Sequence, residues 1–361
     1  MKKLKQHIVL VMPSHSNFCP PIIENLKFHG YDVSFIDSSP EHLKKIKVPF
    51  LHKLIHILQK VIFQCSNHKA TQKNLIKERY IQQQIDQIPY LAEQDRILVI
   101  RPDLLSQQCL EQLRHKSSNH YIGYQWNGLE RFPETISRIS TFDRFFVFDH
   151  TDLCNQKFSE HNLIGTTNFY FDMLQPQPLK SDHKLAYFVG LHFDDRVETL
   201  EKCAALLLKH NVQLDFNIRI LKNIAATKTQ YQQTNIQFIS KNIEFDENIQ
   251  HINQASLLVD ILNPIHQGLS FRTFEALYYQ KKLITSNAHI QHYDFFHPNN
   301  IFIWDESNLE QFEQFLAAPY IPIKQSIKDK YSFHNWLCNL LDTPPYDTIT
   351  LPEMSFPVHS P

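Results

Sequence analysis

Hydrophobic positions along this chain fall into two alternating kinds of run. Short apolar stretches rich in Val, Ile and Leu have the pattern of strands buried on both faces. In the first half these are Ile8–Met12, Asp32–Ile36, Arg96–Ile100, His120–Gln125 and Arg144–Phe148. In the second half they are Leu185–Val189, Asp215–Leu221, Ile236–Ile239, Ser256–Leu262 and Ile301–Trp304. Between them lie stretches of helical spacing, among them Asn67–Ile88, Val197–Lys209, Asn248–Ala255 and Leu309–Leu316. Strands that alternate with helices predict an α/β protein with a parallel, doubly wound sheet in each half. Phe171–Lys180, which carries Pro176 and Pro178, reads as the linker between the halves.

One segment departs from simple alternation. Asn263–Asn287 reads NPIHQGLSFRTFEALYYQKKLITSN and follows directly on the apolar run Ser256–Leu262. Its layout is strand, glycine loop, helix and strand, which presents backbone N–H groups to a phosphate. Gly268 permits close backbone approach, and Ser270 is placed to cap a helix reaching about Gln280. Glu275 lies about one turn inside that helix, where its carboxylate can accept from ribose hydroxyls. The i, i+3 spacing also lets Arg272 pair with Glu275.

Gln267 and Glu275 are separated by seven residues. This resembles the donor site of GT-B glycosyltransferases, in which a Glu is followed by seven residues and a second Glu. Here Glu275 occupies the second position, while Gln267 replaces the first carboxylate. Two further segments add to the resemblance. YFVGLHFDDR (187–196) is similar to the strand and glycine turn that opens the nucleotide-binding domain, where Gly190 would admit the donor diphosphate. YQWNGLERFP (124–133) with FDRFFVFDHTD (142–152) is similar to a pairing found in bacterial envelope-polysaccharide glycosyltransferases. Those proteins carry Trp-Asp-Ser where this chain has Trp126-Asn127-Gly128.

The resemblance implies two doubly wound Rossmann-like domains facing across a cleft. Residues 1–175 would form the acceptor-side domain and 176–325 the nucleotide-sugar domain. A helix within 326–341 would cross back to the first domain, and 342–361 would be a Pro-rich, extended or disordered tail. The implied activity is transfer of a sugar, hexosyltransferase-type, from a nucleotide-sugar donor to a lipopolysaccharide, capsule or lipid-linked glycan. No other cofactor is expected, since the nucleotide-sugar is the substrate.

Composition narrows the alternatives. The chain has 361 residues, 42% of them hydrophobic and 12% aromatic, which fits two globular domains. The first 79 residues hold 13 Lys/Arg against 5 Asp/Glu (+8) and the rest 23 against 32 (−9), for the overall −1. A basic start suits an anionic partner. Within it, Glu41–Gln64 has helical apolar spacing beside Lys44, Lys45, Lys47, Lys53 and Lys60, the pattern of an interfacial amphipathic helix or of one packed on a sheet. Packing on the sheet is the commoner fate of such a helix, and contact of 41–64 with the inner face of a membrane is the alternative for an otherwise cytoplasmic protein, with no nucleic acid partner expected. Six scattered cysteines without a C-x-x-C pair indicate reduced thiols. No segment has the roughly 20 apolar residues of a membrane span.

Transfer requires a stabilised diphosphate leaving group and a deprotonated acceptor hydroxyl. The chain contains no Asp-x-Asp triplet, and the resemblance to GT-B enzymes implies that basic side chains and a helix N-terminus take the place of a metal. The candidate donor-binding residues are Gly190, Arg196, Arg219, Lys222, Gln267, Gly268, Leu269, Ser270, Arg272 and Glu275. Acceptor-side candidates are Ser16, Trp126, Asn127 and Asp149, with His15 and Asp103 as acid–base groups. The departures at Gln267 and Asn127 leave a catalytically silent nucleotide- or glycan-binding protein as the alternative. A Rossmann oxidoreductase lacks its G-x-G-x-x-G fingerprint here.

Overall fold

The computed structural model describes residues 6–14, 17–40, 68–117, 120–177, 184–233, 235–262 and 267–352. His15, Ser16 and the basic 41–64 segment lie outside the described residues, as do 263–266 and 353–361. The chain divides into two compact units, 1–147 with 154–164 and 148–153 with 165–361.

The first unit is built on a six-stranded sheet of order β2-β1-β3-β4-β5-β6. Its strands are β1 (His7–Met12), β2 (Asp32–Asp37), β3 (Arg96–Ile100), β4 (Tyr121–Gln125), β5 (Arg144–Val147) and β6 (Leu163–Gly165). The pairs from β2 through β5 are parallel. Helices α1 (Cys19–Phe28), α2 (His68–Gln87) and α3 (Gln107–Lys116) cover it. Val9, Val11, Ile97, Val99 and Phe145 pack with Ile81 and Ile85 of α2 and with Leu110 and Leu113 of α3.

The second sheet has the order β12-β11-β10-β7-β8-β9, every pair parallel. Its strands are β7 (Leu185–Leu191), β8 (Gln213–Arg219), β9 (Ile236–Ile239), β10 (Leu257–Asp260), β11 (Lys282–Thr285) and β12 (Ile301–Ile303). Alternate residues supply two cores, as the period of a strand requires. Ala186, Phe188, Leu257, Val259 and Ile284 face α5 (Val197–Lys209) through Leu200, Cys203 and Leu207. Tyr187, Leu258 and Leu283 face α7 (Phe245–Gln254) and α8 (Phe271–Tyr278) through Ile252, Phe274 and Leu277. A short helix α4 (His150–Cys154) belongs to this unit, as do α6 (Ile224–Lys228), α9 (Phe312–Ala317), α10 (Gln325–Lys330) and α11 (Phe333–Leu341).

The division between units falls before the proline-bearing segment, not within it. Phe169 packs its ring on Trp336 at 4.3 Å and on Phe333 at 5.0 Å, and Tyr170 stacks on Tyr278 at 4.0 Å. Tyr170 also exchanges backbone hydrogen bonds with 331–333: its N–H donates to Tyr331 and its carbonyl accepts from Phe333. Aromatic burial and a β-bridge thus commit 169–171 to the second unit. The described part of the tail is packed as well, since Ile349 is buried and Leu351 lies against Gly165.

Candidate functional site

In the first unit, the ends of β3 and β4 carry a polar cluster. Arg101 leaves β3 with a left-handed backbone (φ 67°), a conformation that costs a non-glycine residue energy and marks a constrained position. Its guanidinium grips Asp103 with two 2.6 Å bonds, from Nε to Oδ1 and from Nη2 to Oδ2. With its amide oxygen turned toward Arg101, Asn127 accepts from Nη1 at 3.0 Å. The guanidinium also lies 4.8 Å from the Phe132 ring centroid. Trp126 meets Phe18 edge to face at 6.1 Å. Arg138 and Lys77 hold the intervening turn by its carbonyls at Pro102, Asp103 and Leu104. Asp103 therefore enters the site as the partner of Arg101, with both oxygens engaged.

The second unit gathers more of the candidates. Open α/β sheets bind ligands beyond the carboxyl ends of their strands, where the strand order reverses. In this sheet that point lies between β7 and β10. Arg196 bridges the two strand ends: Nη2 donates to the carbonyl of Leu191 and Nη1 to that of Ile261, at 2.5 and 3.1 Å. Its flat face lies over Phe193 and Phe188. Burial lowers its pKa, and Asp260 and Asp195 offset only part of that. Arg196 makes no ion pair with any described carboxylate, so its charge is met by carbonyl dipoles, the two aromatic faces and more distant acids. Gly190 lies inside β7, not in a turn. A Cβ there would come within 3.0 Å of Phe188 Cζ and 3.3 Å of Arg196 Nη2, so the glycine makes room for the Phe188 ring and the guanidinium together.

His192 follows β7 and is held from both sides, with Nδ1 2.8 Å from the Tyr231 hydroxyl and Nε2 3.0 Å from Asp194. A carboxylate only accepts, so Nε2 carries a hydrogen and Nδ1 of the neutral ring accepts from Tyr231. Burial pushes the Tyr231 hydroxyl up to about 12, against the pull of Arg196. Arg219 bonds Asn242 through Nη1, while Lys222 is exposed.

Residues 267–270 are fixed one by one. Gln267 donates its N–H to Asp149 Oδ2 and accepts from Asn287 Nδ2, both at 2.8 Å. Leu269 accepts from Asn168 Nδ2 at 2.9 Å. Ser270 caps α8, its hydroxyl accepting from the Arg272 N–H and donating to Asp260 Oδ2 at 2.9 Å. Asp260 and Ile261 are consecutive, so the helix N-terminus and the Arg196 guanidinium are tied to the same strand end. Ser270→Ala removes the cap and should cost about 1 kcal/mol in chemical denaturation. A loss below about 0.3 kcal/mol would mean that the cap contributes nothing. Asp149, expected among the first domain's loops, groups instead with the second unit through Gln267.

Gly268 meets the protein, not open space: a Cβ there would lie 2.5 Å from Phe148 Cδ2 and Cε2 and 2.6 Å from its carbonyl oxygen. Arg272 pairs with Glu275 at 2.7 Å, as the i, i+3 spacing allows. Asn248 of α7 knits the pair together, donating to Glu275 Oε1 and accepting from Arg272 and the Tyr187 hydroxyl. Burial raises the Glu275 pKa above its ordinary value, outweighing Arg272 and Asn248.

Sequence reasoning missed Arg101, Phe148, Asn248, Asn287 and His192. Of these only Asn287 carried a local signal, as an Asx cap whose Oδ1 accepts from His289 N–H. Among the described residues no group of three His, Cys, Asp or Glu is placed to hold a metal ion. Nor is any described helix long and apolar enough to cross a membrane.

No family model and no curated protein sequence matches the chain. Solved structures do. An α,α-trehalose-phosphate synthase (UDP-forming) from Burkholderia vietnamiensis superimposes with a TM-score of 0.56 at 11% identity, over 94% of this chain and 95% of that one. The fold is GT-B. A UDP-N-acetylglucosamine 2-epimerase is similar at a TM-score of 0.47 and 12% identity, covering 96% and 99% of the two chains. TarM is similar at 0.42 and 11% identity over 62% of this chain, which spans only 48% of TarM's length. At such identities a GT-B likeness describes architecture, and the reaction must be argued from the residues.

Proposed function

We propose that this GT-B chain is a metal-independent glycosyltransferase that moves a sugar from a nucleotide-sugar donor to a cell-envelope glycan of lipopolysaccharide or capsule type. The observation that carries the reading is Arg196. A half-buried guanidinium held by two carbonyls and two aromatic faces, with no carboxylate paired to it among the described residues, is suited to receive an anion. It sits at the strand-order reversal, tied to the strand end that also holds the N-terminus of α8. Together they would bind the diphosphate and stabilise the charge that develops on it as the glycosidic bond breaks. Gln267, Gly268, Leu269 and Ser270 would present the helix N-terminus, Arg219 and Lys222 would supply further positive charge, and Glu275 would face the ribose. The basic 41–64 segment supports a lipid-linked acceptor at an anionic membrane surface.

The test is a melting-temperature panel of UDP-, GDP-, CMP- and ADP-sugars, followed by titration calorimetry with whichever raises the transition. Arg196→Gln should weaken that ligand about 10- to 100-fold, the worth of a hydrogen bond to a charged group. A panel without any shift, or an unchanged affinity in the variant, would overturn the donor reading. A second reading, a silent GT-B-like binder of nucleotide or glycan, is favoured by Asp103, whose two oxygens are both taken by Arg101. Binding without hydrolysis or transfer of the nucleotide-sugar would select it.

A further inference from the structure

The carboxyl ends of β7, β8 and β9 form a rim with a composition of its own. The register sets Leu191 beside Arg219 and Arg219 beside Ile239, so the three strands end level. This is the β8–β9 side of β7, opposite the strand-order reversal between β7 and β10. Beyond Arg219 the chain runs through Leu221 and Lys222, turns at a left-handed Asn223 (φ 50°) and enters α6 at Ile224. Leu221 is 62% exposed and Ile224 54%, and Leu191 on the adjoining strand end is exposed as well. A single exposed aliphatic side chain is ordinary, but three gathered at the ends of two paired strands mark a contact surface.

The same rim is a basic island. From Phe216 to Ile243 the sequence holds Arg219, Lys222, Lys228 and Lys241 and no Asp or Glu. It does so within a stretch, 80–361, that has 23 Lys/Arg against 32 Asp/Glu. The three lysines are exposed, and none of the four cations pairs with a described carboxylate. Arg219 bonds Asn242, and the Lys228 ammonium lies 5.2 Å from the Phe238 ring centroid. Two acids on the segment that follows β7 are engaged elsewhere, Asp194 by His192 and Glu201 by the N–H groups of Gln232 and Gln233.

We propose that this rim docks on an anionic lipid surface, with Leu221 and Ile224 inserted among the headgroups and Lys222, Lys228 and Lys241 level with the lipid phosphates. Phosphates alone would satisfy the lysines and leave the aliphatic side chains in water. A bilayer interface takes both, since acyl chains and anionic headgroups lie within one side-chain length of each other. The surface belongs to the second unit alone and depends neither on the 41–64 segment nor on the donor reading. Moving a large aliphatic side chain into the interface strengthens partitioning about tenfold, and each lysine near anionic lipid adds about fivefold.

Co-sedimentation of the full chain tests the docking, comparing vesicles of phosphatidylcholine with vesicles that also carry about one-third phosphatidylglycerol. The wild type should partition onto the anionic vesicles only, and added salt should weaken the partitioning. Leu221→Ser/Ile224→Ser should weaken it at least about tenfold, and so should Lys228→Gln/Lys241→Gln. All four positions are exposed, and an unchanged melting temperature shows that each double variant is folded. A wild type that ignores anionic vesicles would overturn the proposal. Loss of binding in the lysine variant alone would overturn it too, because the rim would then meet an anionic partner through charge without insertion. Both variants binding as the wild type does would place the contact on another surface. Nucleotide-sugar binding is measured without vesicles, so each of these failures leaves the donor reading standing.

Discussion

Replacing Glu275 by Ala is expected to cost the second unit about 3–5 kcal/mol, the penalty for removing one partner of a buried ion pair. Arg272 would keep its charge in a site where its side chain is only 11% exposed, with Asn248 as the remaining described polar partner. The loss reports the stranded cation, not the net worth of the pair. Burial already pushes the Glu275 carboxyl above its ordinary value, so the ionised pair carries a desolvation cost at neutral pH. The double variant Arg272→Met/Glu275→Leu removes both charges at similar volume and should recover most of the loss. Urea titration of the single and double variants checks both numbers. A single variant within about 1 kcal/mol of wild type would mean that solvent reaches Arg272. The Glu275 carboxylate that could face a ribose is also what keeps Arg272 foldable, so binding data on Glu275→Ala need the stability measurement beside them.

Most of the fold was legible because buried parallel strands are continuous apolar runs. Arg96–Ile100, Val197–Lys209 and Ile236–Ile239 are observed with the bounds their patterns predict. The misses are short elements, such as Leu163–Gly165, His150–Cys154 and Ile224–Lys228, which are too brief to show a period. The division into units is not legible in the proline pattern for a different reason. Proline marks local stiffness, whereas Phe169 and Tyr170 are placed by partners at 331–336 that lie far along the chain.

The candidate site was legible where its contacts are local and opaque where they are not. Arg272–Glu275 and the Ser270 cap span a single helical turn, and both are present. Gln267 and Asp149 are 118 residues apart, and no spacing rule joins them. Nothing in YFVGLHFDDR says that Gly190 makes room for the Phe188 ring and for Arg196, a residue six positions further on. Gly268 reads in the sequence as a place of close backbone approach to a phosphate, and the group it lies against in the structure is Phe148.

Gly268→Ala should therefore destabilise the second unit by about 3 kcal/mol, the upper end of overpacking costs. The added methyl would lie at 2.5 Å from two ring carbons of Phe148, which can turn, and at 2.6 Å from its carbonyl oxygen, which cannot. The backbone contact distinguishes this site from an ordinary crowded glycine, because relief has to come from moving the main chain of 148 or of 268. Either movement pulls on the bond from Gln267 N–H to Asp149 Oδ2 one residue away. Combining Gly268→Ala with Phe148→Ala removes the ring clash and leaves the carbonyl clash, so rescue should be partial once the cost of Phe148→Ala itself is subtracted in a double-mutant cycle. A coupling energy of zero would show that the ring contributes nothing. Full recovery would show that the loop moves away from the carbonyl freely, and that the tight seat of residues 267–270 is not required for the unit to fold.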